Sequence, residues 1–418
     1  MTHAPDVIRG PSIAPASTSD GPPRRSRMLQ LSALQILRGL CAWIVVLVHI
    51  VQSYYRGHAP NAFWADLTRF GQFSVDTFFM ISGVVMAIVG EKYVGRGANF
   101  ALNRAQRIAP AYWIFTTVLV VSVLALPAGT YLTSWTPWTL IQSYLFIPNH
   151  NPNGVGMYPT LYVGWTIFFE LIFYVVFALC LMQRRVPGWL PCSALLAGGA
   201  IAFWNHGIVR ENPFILFEFA LGMTLYRFFD AVRSGRRGRQ LLPEAPILAA
   251  CLVFAVMLRV LGVTGPTGVQ VATGMLVAIP VLAITLVIDI FGVTTLGVGR
   301  IVRSRFLLAL GDYSYSTYLA HIIVIGWVFA VVHTAWGDGL RPAAVPLILL
   351  LTLGVSWASY RLIERPFMRL KLRLPRRRRA VATAPVGTAA GLIAAAETSS
   401  PAVAASPAVA ASPTPAEG

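Results

Sequence analysis

The chain has 418 residues, 56% of them hydrophobic and 12% charged, with a mean hydropathy of +0.65. Soluble domains carry about 25% charged residues, so half that share, with apolar runs of roughly 20 residues, excludes an ordinary soluble domain and points to a multi-pass membrane protein. The formal charge of +17 does not indicate nucleic acid, because the basic residues are scattered between apolar runs, where membrane topology accounts for them.

Residues 1–28 are polar and rich in Pro and Ser, and read as a disordered segment without a cleavable signal peptide. Apolar cores follow near 33–52, 73–90, 108–126, 163–183, 189–204, 213–229, 245–263, 270–291, 313–335 and 343–362. The fifth and sixth are short. The stretch "WTLIQSYLFIP" (138–148) is too short to span and suits a re-entrant or interfacial segment. Residues 29–372 are therefore expected to form one all-α polytopic bundle of about ten transmembrane helices. Residues 373–418 are basic, then rich in Ala, Pro and Ser with "PAVAAS" twice, and read as a disordered tail. The four cysteines, Cys41, Cys180, Cys192 and Cys251, fall in or beside apolar runs and read as small buried hydrophobes.

Loop charge sets the orientation. With the N-terminus in the cytosol, 27 of the 33 Lys and Arg fall on cytosolic segments and only Arg56, Arg69, Arg210 and Arg341 fall outside. Arg38 and Arg259 are intramembrane. This asymmetry predicts that both termini are cytosolic.

Polar residues inside the spans each call for a partner or a role, since a charge at mid-bilayer costs several kcal/mol. In the first span Arg38 and His49 lie eleven positions apart, roughly 16 Å along a helix at ~1.5 Å per residue, close to three turns and so on one face. Arg38 snorkelling to lipid phosphates and an interfacial His49 form the structural alternative. Asp76, at the outer entrance of the second span, is within topological reach of His49 and could fix its tautomer, or could simply cap its own helix. Arg104 and Arg107, three apart at the cytosolic entrance of the third span, could hold a phosphate-rich ligand or anchor the helix. Glu170 stands about two turns into the fourth and could bind a hydroxyl-rich acceptor or pair with Arg259. "GDYSYSTYLAHI" (311–322) brings Tyr318 and His321 to the start of the ninth, with His321 about two turns in. Glu364 in "IERPF" reads mainly as a helix terminus. The outer loop near 127–162 carries Tyr131, Trp135, Trp138, Tyr144, Tyr158 and Tyr162 with Asn149, Asn151 and Asn153, an aromatic belt or a sugar-stacking surface.

The segments "LQILRGLCAWIVVLVH", "VDTFFMISG", "RAQR" with "RIAPAYW", "WTIFFELIFY" and "YSYSTYLAH", in this order, resemble the membrane-bound acyltransferase-3 family, and most closely its bacterial exopolysaccharide acetyltransferases. The likeness covers roughly residues 30–370. It implies about ten transmembrane helices in the bacterial inner membrane and transfer of an acyl group, acetyl in the simplest case, from cytosolic acetyl-CoA or another acyl-CoA to a hydroxyl of a lipid-linked or surface glycan. It implies roles for Arg38 and His49 in the first helix, for Arg104 and Arg107 on the CoA side, and for Glu170. Thr77 and Met80 depart from the Leu or Val usual in the family. The expected site is then His49 as general base or acyl carrier, Asp76 orienting it, Arg38, Arg104 and Arg107 on the donor, and Glu170, Arg259, His321 and Tyr318 toward the acceptor. No metal or resident cofactor is expected. The same polar core could serve a glycan or lipid transporter, or a non-catalytic component of a polysaccharide export complex.

Overall fold

The computed structural model describes residues 31–55, 61–71, 73–125, 134–152, 158–183, 187–206, 215–235, 265–293, 295, 297–336 and 340–370. Among them the regular structure is helical throughout: α1 Ser32–Tyr54, α2 Ala62–Phe70, α3 Phe73–Gly90, α4 Gly97–Ala125, α5 Pro137–Tyr144, α6 Trp165–Met182, α7 Trp189–His206, α8 Ile215–Arg233, α9 Gly265–Phe291, α10 Val298–Val302, α11 Arg305–Trp336, α12 Arg341–Ser359 and, after a π-helical turn at Tyr360–Glu364, α13 Arg365–Arg369. All belong to one packed unit within residues 1–373.

Seven helical segments among the described residues are long and apolar enough to cross a membrane: Ser32–Tyr54, Ala62–Tyr93, Gly97–Ala125, Tyr162–Met182, Thr273–Phe291, Arg305–Ala335 and Pro342–Arg369. The protein is a multi-pass membrane protein. The expected fifth and sixth spans are helices, α7 and α8, and α8 carries Glu218, Arg227, Asp230 and Arg233. The expected span at 245–263 lies outside the described residues. The stretch at 138–148 holds the eight-residue α5, begun by a Thr136–Thr139 capping box.

Outward faces are apolar, as a lipid-facing surface requires. Ile114, Val118 and Val121 on α4 and Val175, Leu179 and Met182 on α6 form exposed stripes at helical spacing. Inward, glycines let backbones meet. A Cβ on Gly39 of α1 would sit 2.7 Å from the Gly311 nitrogen of α11. On the other side of the bundle, Gly83 of α3 lies against Phe219 and Gly222 of α8 lies against Met80.

Contact order gives helix directions. Arg38 meets Gly311 and His49 meets His321, so α1 and α11 are parallel. Asp76 meets Glu218 and Met80 meets Gly222, so α3 and α8 are parallel. Phe100 packs on Tyr174 and Phe177 while Tyr112 meets Gly164, so α4 and α6 are antiparallel. At the end of α9, Asp289 accepts hydrogen bonds from the Ala33 and Leu34 amides at 2.9 and 2.8 Å. A carboxylate from another helix thereby caps the start of α1, where no side chain of its own does so.

Candidate active site

The α1–α11 seam brings the first two polar residues of the sequence onto one partner helix. Arg38 Nη2 donates to the Gly311 carbonyl at 2.5 Å, an approach that the Gly39–Gly311 contact makes possible. His49 Nδ1 lies 3.1 Å from His321 Nε2, with ring centroids 5.0 Å apart and planes at 41°. It is also 3.1 Å from the Val45 carbonyl. His321 is fully buried, and its Nδ1 is 3.1 Å from the Thr317 carbonyl. The shared face expected for Arg38 and His49 is therefore present. The helix that carries His321 starts earlier than the sequence suggested. From Arg305, His321 is roughly 24 Å along the axis at ~1.5 Å per residue, in mid-helix and not two turns in.

Between α1, α3, α4, α6 and α11 lies a cavity with about 890 Å³ of empty space, open solvent included. Arg38, Arg104, Arg107, Glu170 and Tyr318 all line it, so Glu170 and Tyr318, expected toward the acceptor, share one cavity with the arginines expected on the donor. Helix α4 begins at Gly97, ahead of the expected core at 108, which places Arg104 and Arg107 on a helical wall. The Arg104 guanidinium lies 5.6 Å from the centre of the Phe100 ring and 5.8 Å from that of Tyr174. Among the described residues none of the three arginines has a carboxylate within 4 Å; the ion pairs there are Arg227–Glu91 and Arg233–Asp230. Glu170 instead accepts hydrogen bonds from the Tyr174 hydroxyl, one turn further along α6, and from Ser82 at 3.4 Å. The wall also holds Thr166, Ser314 and Tyr315, and α3 adds an apolar stretch with Val75, Phe78 and Val85.

His49 does not line this cavity. Tyr318 stands between, its hydroxyl 2.9 Å from both the Thr166 hydroxyl and the Val163 carbonyl and its ring centroid 5.9 Å from that of His321. The neighbour expected for His49, Asp76, is occupied elsewhere. The ring's hydrogen-bond partners are Val45 and His321, while Asp76 is buried beside Glu218 and packed against Gly274 of α9. The second expectation for Asp76, the cap of its own helix, does not fit either, because α3 begins at Phe73 and Asp76 lies inside its first turn. Arg259, the expected partner of Glu170, lies outside the described residues.

Two acidic residues were not singled out as site members. Glu218 is the partner of Asp76. Glu364 is not a mere terminus: the π-helical turn folds it inward, where it is buried, accepts a hydrogen bond from Ser316 and faces the charges of Arg38 and Arg107. π-turns often mark functional places, but apolar periodicity gives no sign of one. The Glu170–Tyr174 pair did carry a signal, the i, i+4 spacing of helix neighbours.

Comparison with known proteins is consistent with this geometry. The family model described as an acyltransferase domain, that of the acyltransferase-3 family, matches residues 31–361. The exopolysaccharide production protein ExoZ of Rhizobium meliloti is 32% identical over 309 residues, 72% of this chain and 90% of its own. The acyltransferase MdmB of Streptomyces mycarofaciens is 25% identical over 401 residues, 86% of this chain and 96% of its own. No solved structure matches the chain. With that match covering most of its length, the chain belongs to the acyltransferase-3 family.

Proposed function

We propose that this protein is a membrane O-acyltransferase that moves an acyl group, acetyl in the simplest case, from cytosolic acyl-CoA to a hydroxyl of an exopolysaccharide or other surface glycan. It sits in the bacterial inner membrane with ten spans and both termini in the cytosol. The parallel pairs α1–α11 and α3–α8 support this topology, since they are the first with the ninth and the second with the sixth of ten alternating spans. The family and the name of the ExoZ relative support the reaction class and the acceptor.

One observation carries the donor assignment: three arginines line one cavity with no carboxylate within ion-pair distance among the described residues. Although Glu364 faces Arg38 and Arg107, guanidinium groups without an ion-paired carboxylate favour a polyanion, and CoA brings three phosphates on a long thin arm. The apolar wall of α3 suits that arm. The acyl end then reaches His49 past the Tyr318 ring.

At His49 the chemistry needs a base, because a glycan hydroxyl is a weak nucleophile at neutral pH. His49 Nε2 removes the hydroxyl proton as the oxygen attacks the thioester carbonyl. The new C–O bond forms, the C–S bond breaks, and the CoA thiolate takes up the proton from Nε2. Alternatively Nε2 itself attacks first, releasing CoA and carrying the acyl group to the acceptor. A closed helical bundle limits loss of the thioester to water. General-base assistance of this kind is worth about 10²–10⁴-fold. Membranes containing His49→Ala should therefore lose at least about 10²-fold in acetyl transfer from labelled acetyl-CoA, at normal expression. Full activity would remove His49 from the chemistry.

A further inference from the structure

We propose that His321 is the positioning residue for His49, holding its ring against α11 in the tautomer that leaves Nε2 open. This rests on the reading of His49 as the reacting base. The Thr317 carbonyl fixes the first proton. An amide oxygen carries no proton, so the 3.1 Å contact with His321 Nδ1 requires the proton on Nδ1. A neutral ring protonated there is bare at Nε2. The proton in the 3.1 Å contact between His321 Nε2 and His49 Nδ1 must then belong to His49. His49 is thereby left bare at its own Nε2, the nitrogen that has no hydrogen-bond partner among the described residues. Thr317 carbonyl, His321 and His49 form a line of two donated protons that ends on an open lone pair.

The Val45 carbonyl also needs a proton on His49 Nδ1. It belongs to the same helix, one turn back, and moves with the ring. Only His321 reaches across from α11, so only it ties the imidazole to the opposite wall. The role differs from contact with acceptor: His321 is fully buried and both of its nitrogens are engaged. When Nε2 of His49 takes the hydroxyl proton, the imidazolium keeps its Nδ1–H on His321. No proton has to pass along the line, and the one gained at Nε2 leaves with the thiolate.

Asn and Gln separate this role from mere packing. The Asn amide overlies the Nδ1 side of an imidazole and the Gln amide the Nε2 side. His321→Asn keeps a donor for Thr317 and loses the acceptor for His49; His321→Gln retains an acceptor for His49 Nδ1–H. We expect kcat of His321→Asn to fall on the order of 10–100-fold, the scale of a misplaced catalytic group, with the acyl-CoA KM unchanged. His321→Gln should stay within about threefold of wild type, since it keeps the interaction. If the two variants behave alike, both active or both inactive, the proposal fails. If His49→Ala is itself active, the underlying reading of His49 fails instead. Should either variant not fold, ¹⁵N spectra of histidine-labelled wild-type protein decide. Assigned by difference from His49→Ala, the His49 ring should carry its proton on Nδ1, and a proton on Nε2 would overturn the proposal.

Discussion

The two most extensive helix seams among the described residues, α1–α11 and α3–α8, are built alike and used differently. Each joins parallel helices through glycines that bring backbones together. In α1–α11 the close approach exposes a carbonyl to Arg38 and sets His49 against His321, and the seam borders the cavity. In α3–α8 the seam is closed by Phe79, Phe173 and Phe219, and its acids, Asp76 and Glu218, face each other. Small residues give proximity in both. What a seam does depends on whether the polar groups it gathers satisfy one another or are left facing open space.

Breaking the closed seam should have the largest effect. A Cβ on Gly222 would run into the Met80 backbone, which cannot move without parting α3 from α8. Gly222→Val should therefore cost at least about 3 kcal/mol, the upper range for overpacking. Thermal unfolding in detergent, or loss of a monodisperse size-exclusion peak, reads this out. A stable Gly222→Val protein would mean the seam is looser than described. Asp76→Asn should have a much smaller effect. Its amide can donate to the Glu218 carboxylate, so acetyl transfer should stay within about threefold of wild type. Were Asp76 the group that orients His49, the same change would act like loss of a triad carboxylate, about 10⁴-fold.

Asp76 also shows how far the sequence could be read. The membrane class followed from composition, and the shared face of Arg38 and His49 followed from helical period. That Arg104, Arg107 and Glu170 line one cavity was not legible, because motif order gives no depth in the membrane. Asp76 was misjudged because height in the membrane was weighed without rotation about the helix. It lies seven residues before Gly83 and four before Met80, so all three share a face, and that face meets α8. The start of α11 was missed because "RFLLALG" ahead of Asp312 reads as well as a loop end as a helical turn. The inward turn of Glu364 depends on a π-helical register that apolar spacing does not encode.

Donor binding at the cavity arginines is the step on which acyl transfer depends most. Acetyl-CoA and acceptor should be titrated separately in membranes containing wild type or Arg104→Ala. A charge-assisted bond to phosphate is worth about 1.5–3 kcal/mol, so the apparent KM for acetyl-CoA should rise about 10–100-fold with acceptor dependence unchanged. A change confined to the acceptor, or none in either substrate, would contradict it.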